Sequence, residues 1–301
     1  MDHRSPVHGR TGSRSTVFTV SWELVLDSID FGEGPRWHDN RFWFSDFFQH
    51  SISSVGDDGV RNVEHADVGR PSGLGWLPDG RLLFVEMTSR RVMRVDADGT
   101  LVEHADISGV ATGHCNDLVV DAAGNAYVGN FGFDMEGDDK FATASLALVR
   151  HDGSVEVAAT DLMFPNGSVI VDDGATLIVG ESFGGKYLAF NIAADATLSN
   201  RRTWAKVDGM APDGCSMDAE GGIWFSDALG KQVVRVIEGG KVTHQLPTGD
   251  NTFACMLGGE DGTTLFVLTC EDSHPSKAAG TGTGKLWRTT VDVPRNATDL
   301  P

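Results

Sequence analysis

A unit of about forty residues recurs along the chain, and this recurrence limits the fold more than any other feature. One copy opens with Pro71-Ser72-Gly73-Leu74-Gly75-Trp76 and turns at Pro78-Asp79-Gly80. It continues through Leu82-Leu83-Phe84-Val85 and Arg91-Val92-Met93-Arg94-Val95 to Asp98-Gly99. A second copy begins at Asn116-Asp117-Leu118 and a third at Asp213-Gly214-Cys215, with looser copies near Gly34, Asn166 and Ala254. Each reads as strand, tight turn, strand, loop, strand, and Asp-Gly supplies the positive φ that a short hairpin needs. One four-stranded unit cannot bury both of its faces. Radial stacking buries them and leaves only short edges. A β-sandwich would explain the strands but not the repetition. The expected class is therefore all-β, a six-bladed β-propeller of roughly 45 residues per blade. A strand within 17–26 is expected to complete the last blade beside one at 285–291. The expected organisation is a flexible segment 1–16, one propeller over 17–295 and a tail 296–301. Residues 137–147 are the one stretch with room for a helix, or else form a loop.

Four polar residues recur in phase with the units. Glu33 lies in Phe31-Gly32-Glu33-Gly34-Pro35, Asn116 in Cys115-Asn116-Asp117, Asn166 in Pro165-Asn166-Gly167 and Asp213 in Pro212-Asp213-Gly214. Their separations are 83, 50 and 47 residues, close to two, one and one units. Same-phase positions of a propeller converge on its axis. Taken singly, Asn-Gly and Pro-Asp-Gly are ordinary turn signals; recurrence in register is what points to a site. Two carboxylates and two amide oxygens make a hard, oxygen-rich cup for one divalent cation. Calcium is the expected ion. Zinc, manganese and magnesium are the alternatives, His114 being the one nitrogen ligand near these phases.

Charge and composition exclude other classes. The chain carries 24 Lys and Arg against 43 Asp and Glu, a formal charge of −19, which opposes nucleic-acid binding. No apolar run is long enough to span a membrane. The polar N-terminus lacks the apolar core of a signal peptide, so a cytoplasmic location is expected. Cys115, Cys215, Cys255 and Cys270 form no CxxC pair and read as small core residues. No GxSxG elbow is present, which argues against a serine hydrolase. Gly280-Thr281-Gly282-Thr283-Gly284-Lys285 looks phosphate-binding, but no helical pattern follows it, so it reads as a flexible turn.

The four motifs, in this order, resemble the family of senescence marker protein 30, gluconolactonase and luciferin-regenerating enzyme, over about residues 25–292. The resemblance implies a six-bladed propeller with one catalytic divalent cation, generally calcium or zinc, and hydrolysis of lactones. It implies Glu33, Asn166 and Asp213 as metal ligands, with Asn116 beside the metal or its bound ligand. Sugar-lactone members often carry an arginine two residues before the Asn-Asp asparagine, where this chain has His114. Phe131, Phe133, Met135 and Phe164 lie nearby in sequence. Together these lean the expected substrate toward a less polar lactone.

The expected reaction is metal-dependent opening of a lactone to a hydroxy acid. Asp213 is the expected general base, with direct nucleophilic attack as the variant. Asn116 is expected to orient substrate or water, and His114 to donate to the departing alkoxide. The alternatives are phosphotriester or aryl-ester hydrolysis in the same cup, and a non-catalytic ligand-binding propeller with structural calcium. The expected partner is a small lactone or ester, with neither nucleic acid nor membrane, and the protein a monomer or homodimer.

Overall fold

The computed structural model describes residues 20–296. Its strands form six four-stranded antiparallel sheets arranged as the blades of a propeller. The innermost strands are Gly32–His38, Pro71–Trp76, Cys115–Val120, Pro165–Val171, Pro212–Met217 and Asn251–Gly258, taken here as blades one to six. Each blade then meanders outward strand by strand. Burial follows that order. Cys115–Val120 is buried throughout, whereas the outermost strand of the same blade, Val155–Leu162, is mostly exposed or half-buried.

The core is distributed over six apolar clusters, one for each interface between neighbouring blades. Between blades three and four, Val119, Tyr127 and Leu148 meet Ile170, Leu177 and Leu188. Between blades six and one, Trp37, Phe42 and Phe44 meet Ala254, Met256 and Phe266. A sheet packed on both faces needs apolar residues at consecutive positions, and Leu82-Leu83-Phe84-Val85 is such a run.

Closure uses both ends of the chain. Blade six takes three strands from the C-terminal part and its outermost strand, Glu23–Ile29, from the N-terminal part. That strand pairs with Gly284–Thr290, with Glu23 opposite Arg288. The closing strand thus exists where sequence placed it in topology, but it begins later than 17–26; residues 17–19 lie outside the described ones. The expected segment 1–16 also lies outside them. Of the expected tail, Asn296 donates its N–H to the Met217 carbonyl, and 297–301 lie outside.

One local expectation resolves to its loop alternative and another needs correction. Residues 137–147 are not helical: the loop ends in the strand Ala144–Val149, whose Leu146 and Leu148 pack into the interface with blade four. The only helix among the described residues is Pro275–Ala278. It is one turn, N-capped by His274 with Pro275 at its start, and too short to show a helical period. The glycine run after it is a turn, but an anchored one. The N–H groups of Gly280 and Gly282 clasp the Asp30 carboxylate at 2.6 and 2.9 Å. The anion it wraps belongs to the protein itself.

Candidate functional site

Each inner strand places its second residue at the same level of the channel. These residues are Glu33, Ser72, Asn116, Asn166, Asp213 and Thr252, and all six are buried. Beside each of them the pairing with the next strand slips out of register. Such bulges twist a strand locally and re-aim a side chain. Three of the six strands begin Pro-X-Gly. Proline fits the first position of a strand because it has no N–H to give. The glycine is a matter of space. A Cβ on Gly167 would lie 2.4 Å from the Asp213 carbonyl oxygen, and one on Gly34, whose φ is +55°, 2.4 Å from that of Ser72. Pro165-Asn166-Gly167 and Pro212-Asp213-Gly214 are therefore bulged strand starts, not turns.

The four residues expected to form the cup are thus brought to one level of one channel. Asn166 donates from Nδ2 to Ser182 Oγ at 3.1 Å, and its amide beside Asp213 favours the ionised carboxylate. Ser182 in turn donates to the Pro212 carbonyl at 2.7 Å, tying blade four to blade five. Ser72 Oγ donates to Asn116 Oδ1 at 3.4 Å. Burial raises the Glu33 carboxyl well above the ordinary carboxylate range, and the charges of Asp213 and Asp117 push it further. Burial likewise raises Asp213, to about 8, helped by the Asp117 charge and opposed by the Asn166 amide and the Gly214 N–H. Two acids held near each other out of water are each costly to ionise.

Sequence reading missed a buried ion pair beside the cup. Arg36 donates to Asp117 Oδ1 at 2.8 Å, to the Pro35 carbonyl at 2.7 Å and to the Leu118 carbonyl. The pair joins blade one to blade three. With all three carboxyls ionised, Glu33, Asp117 and Asp213 with Arg36 would leave a net charge of two negatives, which matches one divalent cation. The donor chemistry fits as well. Among the described residues no three His, Cys, Asp or Glu side chains gather as a ligand cluster, so the fit rests on two carboxylates combined with two amide oxygens. Ser72 and Thr252 were also missed. Pro71-Ser72-Gly73 carried the signal for Ser72, because it repeats the Pro-X-Gly frame of the two later motifs.

The inner strands begin at the mouth of the channel. His114 sits there, one position before Cys115, with its ring 6.1 Å from that of Phe131. Glu181, next to Ser182, points elsewhere: it accepts the Met163 N–H at 2.8 Å and pairs with Lys186 at 3.0 Å. The four cysteines form no disulfide and are buried, and burial pushes the Cys115 and Cys255 thiols far up, consistent with inert core residues.

Fold and channel together define a six-bladed propeller with an acidic, oxygen-lined cup at its axis. The chain belongs to the SMP-30/Gluconolactonase/LRE-like family, whose sequence profile matches residues 31–271. It is 25% identical to regucalcin of Danio rerio over 262 residues, covering 82% of this chain and 85% of that one. It is 28% identical to diisopropyl-fluorophosphatase of Loligo vulgaris over 168 residues, 50% of this chain and 53% of that one. Among solved structures, a calcium-binding regucalcin of Agrobacterium tumefaciens superposes with a TM-score of 0.77 at 19% identity, covering 93% and 97% of the two chains. No helix among the described residues is long and apolar enough to cross a membrane.

Proposed function

We propose that the protein is a metal-dependent hydrolase that opens a lactone to its hydroxy acid. The observation that carries this reading is the set of four in-register oxygen side chains from four blades, two of them buried carboxylates with raised pKa values. Glu33, Asn116, Asn166 and Asp213 would hold the cation. Calcium suits their hardness, and a structure similar to this chain is described as a calcium-binding protein. When bound, the ion supplies Lewis-acid polarisation of the ester carbonyl and charge stabilisation of the oxyanion.

The chain's own groups do the rest. Asp213 accepts the proton of the attacking water, and desolvation raises its basicity. Glu33 supplies the second negative charge. Asn116, held by Ser72, orients substrate or water. His114 at the mouth donates toward the departing alkoxide. A second reading, phosphotriester hydrolysis in the same cup, is favoured by the similarity to diisopropyl-fluorophosphatase.

The test is acid release by metal-stripped protein with γ-, δ- and aromatic lactones as calcium, zinc, manganese or magnesium is restored. Restored turnover is expected, and Asp213→Asn should lose about 10²–10⁴-fold in kcat. Stoichiometric metal binding with no lactone opened, and hydrolysis of a phosphotriester instead, would move the assignment to the second reading. No turnover of either would leave a ligand-binding propeller.

A further inference from the structure

Blades three and four carry an apolar wall from the cup to the rim of the mouth. Phe164 directly precedes Pro165-Asn166, and its ring lies 4.6 Å from Phe131 and 5.1 Å from Phe183. Phe183 continues to Phe141 at 6.0 Å and Phe133 at 6.2 Å. Exposure rises along this path, from 9% at Phe164 to 44% at Phe183 and 50% at Phe141. Met135, on the same loop as Phe133 and Phe141, is exposed as well. Rings in a propeller core would be covered; Phe164 is, but Phe183 and Phe141 are not.

The wall is also stiff. Phe164 has φ of +61°, a strained backbone for an aromatic residue. Its carbonyl accepts the Ser182 N–H at 3.1 Å, and the Phe183 N–H donates to Met163 at 3.2 Å. Thr112 Oγ1 donates to the Gly132 carbonyl at 2.7 Å, fixing the start of the loop that carries Phe133 and Phe141. Elsewhere at the mouth, the cation suited to sugar hydroxyls is committed. Arg70 pairs with Glu136 at 2.6 Å and lies over Phe48 and Phe47 at 5.0 and 5.6 Å. Pre-formed apolar surface continuous with a polar cup is the usual build of a small-molecule site.

We infer that this wall is a subsite for a hydrocarbon substituent of the substrate, so that the ester group sits in the cup while an alkyl chain lies along Phe164, Phe183 and Phe141. The inference rests on the lactone-opening reading and narrows it to alkyl-substituted lactones. Two series on the calcium-loaded protein test it. The first is kcat/KM for γ-lactones bearing straight chains from methyl to octyl, with glucono-δ-lactone for comparison. The second is calorimetric affinity for straight-chain carboxylates from acetate to decanoate, which needs no turnover. Both should climb with chain length, up to about fourfold per methylene. Phe183→Ser and Phe141→Ser should flatten the climb, and Phe183→Leu should keep part of it, which separates lost contact from lost folding. Carboxylate binding that climbs without any lactone being opened would leave the subsite standing and remove the lactone-opening reading. Lactones opened with no dependence on chain length, or slopes unchanged in both serine variants, would overturn the subsite alone.

Discussion

Asp213 shows how one residue ties stability to function. Its carboxyl is raised from an ordinary 3.8 to about 8 in the folded protein without metal. Between those values the folded state holds a proton that the unfolded state has released. The group therefore contributes stability that is present below about pH 4 and is lost as pH rises toward 8. Glu33 is raised as well and acts in the same direction. Chelator-treated protein should thus lose stability from pH 5 to pH 8. Asp213→Asn should flatten that decline and be the more stable form at pH 8, by on the order of 2 kcal/mol in urea unfolding. A decline of equal slope in both proteins would show that Asp213 is not the titrating group. Calcium should reverse the difference, because the wild-type carboxylate is then paired.

At the scale of the strand, the glycines of the Pro-X-Gly frame have a different task from the glycines of the hairpins. Gly80 has φ of +85° and nothing within 4 Å of a prospective Cβ, so its value is conformational. Gly167 lacks a positive φ, but a Cβ there would strike the Asp213 carbonyl oxygen at 2.4 Å and the Cys215 nitrogen at 2.8 Å. Gly80→Ala should cost about 1 kcal/mol and leave calcium affinity unchanged. Gly167→Ala should cost about 1–3 kcal/mol and weaken calcium binding, since the strand carrying Asp213 must yield. Equal calcium affinities by calorimetry would show that blade spacing at the axis does not control the cup. This contrast also explains what could be read from sequence. The repeat, the blade count and the phase of Glu33, Asn116, Asn166 and Asp213 were legible because each is a matter of spacing. Thr252 was silent because a short hydroxyl side chain outside the Pro-X-Gly frame announces no chemistry, whereas Ser72 was marked by that frame alone. The Arg36–Asp117 pair was hidden because its partners lie 81 residues apart and meet only when blades one and three close on the axis. The strand start at Glu23 slipped because an edge strand with exposed Glu23 and Leu24 carries a weak apolar pattern.

The ring as a whole is closed by chain, and the proposed cation would close it a second time by charge. The chain closure is the strand Glu23–Ile29 on blade six, with Arg288 bonded to Glu23 at 2.6 and 3.0 Å on an exposed edge. The charge closure is the proposed cation, whose ligands come from blades one, three, four and five and would pin those blades to one point. An ion that binds only the folded ring stabilises it by mass action, about 2.7 kcal/mol at a hundredfold excess over Kd. At roughly 2–4 °C per kcal/mol for a chain of this size, calcium should raise Tm by about 5–10 °C over chelator-treated protein. A chain with formal charge −19 also gathers divalent ions loosely on its surface. Glu33→Gln separates the two effects, because it removes one of the four proposed ligands and leaves the surface charge otherwise intact. The variant should keep only the small, salt-sensitive part of the rise. A full rise in Glu33→Gln, or none in the wild type, would mean that no ion links the blades at the axis.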